Sequence, residues 1–304
     1  MSPTWKLNEL PTIIPKKLVF KHKDTGFSAS IRRDVFERIQ QVAALGRELY
    51  GNNPMWRIDC VIDVEGIPRG VEVNLGEVGG GAYVDCMAES IIGRPVVKSH
   101  EELLKSMAAE GYKYVFNPKW IKKFTLSEHF WMKSMPSISL DDALWYHERG
   151  EKMKLITYSV DEEMFPLSEH FPIDYKNIHN LNFKSHLVDL CVQHPDVFVE
   201  TKHLSDIETS ENRKWVFKTN YSCQGMDVKI QDSNFDSKAY PDLDREGAHD
   251  KIAQRFVESE QNRGYSIVVG VFANGSVYCL INPTLIVGAG FKNTMWVPLL
   301  DLHD

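Results

Sequence analysis

The chain is poor in cysteine. Its 304 residues hold 5, at Cys60, Cys86, Cys191, Cys223 and Cys279. The number is odd, the spacings are wide and no C-x-x-C pair occurs. Neither a zinc site nor a disulfide framework is expected, and a reducing cytoplasm is the natural home. No run of about 18 apolar residues exists, so no membrane span is expected. Met1 to Lys17 lacks a long apolar core, so no signal peptide is expected either. There is no basic tract and the net charge is −7, which argues against a nucleic-acid or anionic-membrane partner. The Walker A pattern is absent, as is G-x-G-x-x-G, so neither a P-loop nor a Rossmann dinucleotide site is supported. Asn220-Tyr-Ser222 and Asn274-Gly-Ser276 match the glycosylation sequon, but without a secretion signal they read as chance.

What the chain does have is a paired polar pattern. Arg57-Ile-Asp-Cys-Val-Ile-Asp63 and Gly70-Val-Glu-Val-Asn74 both alternate apolar and polar residues, the period of a half-buried strand. A turn at Glu65-Gly66 sets Asp59 opposite Glu72 and Arg57 opposite Asn74. Opposed residues of an antiparallel pair share a face, with Cβ atoms ~5 Å apart. Two carboxylates that close repel unless a cation joins them, and Mg²⁺ takes oxygen ligands of this kind, an Asn oxygen included. The plain alternative is a solvated hairpin face.

Around this hairpin the pattern predicts a helix from Ser30 to Tyr50, with a stripe of Phe36, Ile39, Val42, Ala43, Leu45 and Leu49. Further helices are expected over Tyr83–Ile92, from the capping box at Ser99 to about Gly111, over Leu140–Arg149, over Asn182–His194, and briefly over Ala248–Ala253. Strands are expected at Tyr112–Phe116, Lys154–Val160, Val197–Thr201, Trp215–Thr219 and Val228–Gln231. A second hairpin, Ser266–Phe272 with Ser276–Ile281, turns over Asn274-Gly275. Helices mixed with antiparallel hairpins give α+β rather than a doubly wound parallel sheet. The pentapeptide Leu126-Ser-Glu-His-Phe130 recurs as Leu167-Ser-Glu-His-Phe171. It lacks matching flanks, so it is no repeat architecture. Its histidines are either ligands or, more commonly for such positions, structural.

Two further stretches bear chemistry. Lys218 ends an apolar strand and is followed by Ser222-Cys-Gln-Gly-Met-Asp227. A strand-end ammonium beside a loop of small residues suits phosphate, whose oxygens the loop amides can also cradle. A surface lysine beside an ordinary turn is the alternative. Ala253 to Glu258 alternates in polarity. Its backbone can meet an adenine edge while Glu258 accepts from ribose hydroxyls, or it is simply an edge strand.

Together these blocks resemble the ATP-grasp superfamily in its circularly permuted form, as in glutathionylspermidine synthases. The resemblance rests on Asn182-Phe-Lys184, Val216-Phe-Lys218, Ser222-Cys-Gln-Gly225, Gln254-Arg-Phe-Val-Glu258 and Arg57-Ile-Asp59…Glu72-Val-Asn74. The metal hairpin and its leading helix stand near the front rather than the end. The likeness covers roughly residues 30–94 and 180–297.

The resemblance implies an α+β, circularly permuted ATP-grasp fold, with nucleotide held between two α+β subdomains. Residues 1–29 would be a lead-in, and 30–94 with 260–304 the metal-binding subdomain. Residues 95–180 would shape the substrate pocket, and 181–259 form the nucleotide lid. Asp59, Glu72 and Asn74 would hold Mg²⁺ on ATP. Lys184 and Lys218 would contact the phosphates and the adenine side, with Gln224 and Gly225 in the closing loop. Gln254, Phe256, Val257 and Glu258 would line the adenine and ribose pocket, and Arg57 would face the transferred phosphoryl group. The implied activity is a carboxylate–amine ligase working through an acyl phosphate. The alternatives are a phosphotransferase or a nucleotide-binding protein without turnover. The family's loop arginine is replaced here by Cys223 or Gln224, with Arg57, Lys292 or Arg94 as substitutes for its charge. Small-molecule carboxylate and amine substrates are the expected partners, with homodimer formation left open.

Overall fold

The computed structural model describes residues 2–9, 27–51, 53–76, 78–123, 126–157, 162–174, 182–207, 213–220, 228–231, 251–285 and 293–304. Among them the fold is mixed α and β, with four sheets. Strands β1 (Trp5–Glu9) and β2 (Phe27–Arg32) pair antiparallel. Helix α1 (Arg33–Tyr50) follows directly and buries Val35, Ile39, Val42, Ala43 and Gly46. The helix expected from Ser30 therefore starts three residues later. Ser28 and Ser30 are buried within β2, where pairing with a distant strand fixes an extended backbone that local pattern does not reveal. Gly46 permits a close approach, since a Cβ there would lie 2.2 Å from the ring of Trp56. Gly51, at φ 57°, ends the helix.

Strands β3 (Trp56–Ile62) and β4 (Pro68–Leu75) form the hairpin. Ile58, Cys60 and Ile62 are buried on its inner side. Helix α2 (Gly81–Met87) runs on into a π-helical turn, Ala88–Ile92. Helix α3 (His100–Ala109) is capped by Ser99, whose side chain accepts from the Glu101 amide. Strand β5 (Tyr112–Phe116), helix α4 (Leu126–Ser134), strand β6 (Ser137–Ser139), helix α5 (Leu140–His147) and strand β7 (Lys154–Ile156) come next. These strands form a small parallel sheet in the order β6-β5-β7. Its own core joins Val115, Leu140, Ala143, Leu155, Met164, Leu167 and Phe171. A parallel unit was not expected from the sequence. It arises because α4 and α5 alternate with three short strands, the arrangement that gives parallel crossovers. A 3₁₀ helix, Glu162–His170, closes it.

Helix α6 (His186–Gln193) is shorter than the expected Asn182–His194. Strands β8 (Thr201–His203), β9 (Trp215–Thr219), β10 (Lys229–Gln231) and β11 (Lys251–Arg255) form an antiparallel sheet in the order β10-β9-β11-β8. Residues 251–253, expected to be helical, are strand. Ladders to β9 on one side and β8 on the other satisfy that backbone, and tertiary pairing overrides local preference. The rest of that expected helix, 248–250, lies outside the described residues. Of the strand expected at 197–201 only Thr201 is in a strand; residues 195–197 are a turn and Phe198 makes a single bridge to Gly70.

Strands β12 (Ser266–Phe272) and β13 (Val277–Asn282) form the second hairpin, followed by β14 (Met295–Val297) and β15 (Leu299–His303). The central sheet runs β14-β13-β12-β3-β4, and β15 joins β2 in parallel. Strands from residues 56–75 and from 266–297 therefore share one sheet. A row of rings crosses the interior. Tyr278 lies 4.8 Å from Trp296 and 5.9 Å from Phe272 between centroids, Phe272 lies 4.4 Å from His100, and Trp131 is 6.2 Å beyond. No described helix is long and apolar enough to cross a membrane.

Candidate functional site

The site is built on the hairpin. Asp59 faces Glu72 and Arg57 faces Asn74, the register expected from the alternation. One strand further in, Gly270 of β12 faces Asp59, and Tyr278 of β13 faces Gly270. Tyr278, Gly270, Asp59 and Glu72 thus lie in one row across four strands and share a face. Gly270 has to be glycine. A Cβ there would come within 2.1 Å of the Tyr278 ring, which lies across it so that its hydroxyl reaches Asp59.

Asp59 is nearly buried and accepts four hydrogen bonds. Arg57 donates through Nε to Oδ1 and through Nη2 to Oδ2, each at 2.7 Å. Tyr278 donates to Oδ1 at 2.9 Å and the Asn74 amide to Oδ2 at 3.2 Å. The third Arg57 nitrogen, Nη1, donates to the Gly79 carbonyl at 3.1 Å. Burial opposes the charge on Arg57, but Asp59, Tyr278 and Glu72 outweigh it, and its proton is held more tightly than in water. The Tyr278 hydroxyl is pushed well above its ordinary value, first by burial and then by Asp59, with Arg57 pulling the other way.

Two lysines reach the same place from elsewhere in the chain. Lys184 is buried, and its Nζ is 3.5 Å from Glu72 Oε1. It does not open a helix as expected, but sits in the turn before α6. That turn is fixed at both ends. The Asn182 side chain exchanges two hydrogen bonds with the Leu75 backbone, at 2.7 and 3.0 Å. Asn220 accepts from the amides of Lys184 and Ser185. Lys218, also buried, donates to the Val71 carbonyl at 3.0 Å. The β3–β4 ladder steps from the Asp59–Glu72 pair to Cys60–Gly70, so Val71 is the extra residue of a bulge, and bulges commonly re-aim a strand beside a site.

Burial lowers the Lys218 pKa to about 8, Lys184 adds to the effect, and Glu72 and Asp59 resist it. Glu72 is held below its usual range. Its burial works against ionisation, but Lys184, Lys218 and Arg57 prevail.

The remaining expected residues divide. Gln254 is in β11, buried, and donates to Thr201 Oγ1 at 3.1 Å. Its register places it on the Lys218 face, since Ile252 opposes Lys218 and residues two apart share a face. Its Oε1 is buried without a hydrogen-bond partner. Phe256 lies under Lys214, whose Nζ is 5.0 Å from the ring centroid, and Glu258 is exposed. Neither they nor Val257 hydrogen-bonds or ion-pairs, through its side chain, with Asp59, Glu72 or the two lysines. Gln224 and Gly225, with Cys223 and Lys292, lie outside the described residues. Arg94 pairs with Asp301 instead, so it does not bring its charge to this cluster.

Sequence reasoning missed Tyr278 and the Asn182 and Asn220 clamps. The Asn274-Gly275 turn already implies that Tyr278 opposes Gly270. What it could not supply is that β12 lies beside β3. No family model matches this chain, and neither does any curated protein.

Proposed function

We propose that this chain is an ATP- and Mg²⁺-dependent carboxylate–amine ligase with a circularly permuted ATP-grasp fold. The observation that carries the reading is the charge balance of the buried cluster. Among the described residues, three cations, Arg57, Lys184 and Lys218, face two carboxylates, Asp59 and Glu72. Buried positive charge is costly unless anions offset it, and burial first, with Lys184 adding to it, depresses the Lys218 pKa. A polyphosphate is such an anion, and lysine binds phosphate as a point charge.

The oxygen donors fit Mg²⁺ in part. Glu72 offers a carboxylate and Asn74 an amide oxygen, both suited to a hard cation. Asp59 is saturated by its four donors. It would serve as a ligand only if Arg57 turned its two bonds toward a phosphate. When bound, Mg²⁺ neutralises charge on the transferred phosphoryl group. The chain's own residues supply the rest. Lys184 and Lys218 hold phosphate oxygens, and Arg57 steadies charge on the transferred group. Tyr278 keeps Asp59 in place while Arg57 moves.

The substrate carboxylate attacks the γ-phosphorus, and ADP leaves with the bridging oxygen. An amine then attacks the acyl carbon, releasing phosphate and leaving an amide. Positioning and electrostatic stabilisation supply the catalysis. The test is ADP release that needs ATP, a carboxylate and an amine together, and that Lys218→Ala and Asp59→Asn abolish. Absence of ATP binding by calorimetry to the full chain with Mg²⁺ would overturn it.

A second reading follows from the saturation of Asp59, because a closed polar network also suits a nucleotide-binding protein without turnover. ATP binding with no ADP formed over a carboxylate and amine panel favours that reading. A stable phosphorylated product favours phosphotransfer.

A further inference from the structure

The parallel-sheet unit holds a cluster that the nucleotide reading does not use. In α5, Leu140 and Ala143 are buried, and His147 continues their face at the last residue of the helix. In the 3₁₀ helix Glu162–His170, Met164, Leu167 and His170 are buried at a spacing of three, and residues three apart in a 3₁₀ helix stand above one another. The apolar members of both faces belong to one core. Packing these two faces together brings their last members, His147 and His170, into contact, and Glu169 stands beside them.

The three candidate atoms form a small triangle. His147 Nδ1 is 3.0 Å from His170 Nε2 and 3.4 Å from Glu169 Oε1, and His170 Nε2 is 3.8 Å from that oxygen. A triangle with these edges has a circumradius of about 2.0 Å, so one point lies roughly 2.0–2.1 Å from all three atoms, the bond length of Zn²⁺ to imidazole nitrogen and carboxylate oxygen. His170 is buried, His147 half-buried and Glu169 exposed, which leaves the fourth position of a tetrahedron facing solvent.

From this geometry we propose that His147, Glu169 and His170 bind a divalent transition metal of the Zn²⁺ class, with water as the fourth ligand. Two imidazoles select against Mg²⁺ and Ca²⁺, which take oxygen. The scarcity of cysteine excludes only thiolate sites, and this one needs none. The metal pins the end of α5 to the end of the 3₁₀ helix. Without metal, the Met153 amide donates to His170 Nδ1 at 3.3 Å, so Nε2 carries the ring proton and donates to His147 Nδ1. Loading moves that proton to Nδ1, and the long bond from Met153 gives way.

The test uses the full chain without a histidine tag, stripped by chelator and titrated with Co²⁺, which reports tetrahedral sites by visible absorption. One equivalent is expected, displaced by Zn²⁺. His147→Gln should weaken binding at least tenfold and Glu169→Gln by less. Zn²⁺ should also raise the thermal midpoint of the wild type and not that of His147→Gln. Both variants change groups at the solvent edge, so folding, checked by circular dichroism, is retained. No Co²⁺ site in the wild type, or His147→Gln and Glu169→Gln binding as well as wild type, overturns the proposal.

Discussion

Arg57→Met is the sharpest probe of the hairpin site. The substitution keeps an unbranched side chain of similar length and removes the guanidinium. Asp59 then loses two charge-assisted hydrogen bonds of 2.7 Å and keeps only Tyr278 and Asn74. Both partners of the pair are almost shielded, with side-chain exposures of 14 % and 10 %. Removing one member of a buried pair typically costs about 3–5 kcal/mol, because the other charge is left without compensation. Urea unfolding at pH 7.5, read by circular dichroism, measures the loss. A change below ~1 kcal/mol is the range of an exposed pair and would refute the description of Asp59 as a buried charge held by Arg57. The same variant tests the metal role. With the guanidinium gone, the Asp59 lone pairs that it held are open to Mg²⁺ beside the oxygens of Glu72 and Asn74. At tenfold excess over Kd, binding to the folded state alone restores about 1.4 kcal/mol. The variant should therefore gain more stability from Mg²⁺ than the wild type does. Equal Mg²⁺ dependence in the two proteins sinks the proposal that Arg57 masks a metal ligand.

Lys218 must be protonated to hold phosphate, and its pKa in the folded protein is about 8. ATP affinity should fall as pH rises through 8, and flat binding from pH 7 to 9.5 would count against its contact. Stability runs the other way. The folded pKa is below the ordinary value, so the cost of the buried ammonium is present below pH 8 and is relieved as pH rises beyond it. Asp85 is raised to about 6 by burial, despite bonds from Ser99 and the Glu101 amide. The stability tied to its neutral form is full below the ordinary carboxylate range and lost as pH rises through 6. Asp85→Asn should therefore stabilise by about 3 kcal/mol at pH 8 and far less at pH 4, and an equal effect at both is the failing result in urea titrations. Gly270→Ala places a methyl against the Tyr278 ring. It should cost at least ~2 kcal/mol, and a crystal structure of the variant with the Tyr278–Asp59 bond intact would contradict that reasoning.

The hairpin was legible because two alternating runs and one turn fix a register by themselves. The bulge at Val71 was not, since its carbonyl partner Lys218 is 147 residues away. Tyr278 stayed hidden for a similar reason. Its contact with Asp59 requires β12 to sit between β13 and β3, an order that no local pattern encodes. The strand at 251–255 was read partly as helix because its neighbours β8 and β9 supply the pairing. The repeated pentapeptide shows the limit most clearly. Its first copy lies in an α-helix with His129 exposed, and its second lies in a 3₁₀ helix with His170 buried. Identical residues acquire different surroundings because the segments pack against different partners.

The row of rings that starts at Tyr278 makes the site visible to light. Trp296 lies tilted against the tyrosine whose hydroxyl holds Asp59, 4.8 Å away between centroids, and Tyr83 is 5.7 Å beyond it. A shift of Asp59 or Arg57 therefore changes the electrostatic surroundings of an indole without any label. The other end of the row, Trp131, faces Tyr114 of the small parallel sheet at 5.8 Å. Of the 7 tryptophans, Trp296 thus reports from beside the hairpin site and Trp131 from beside the small parallel sheet.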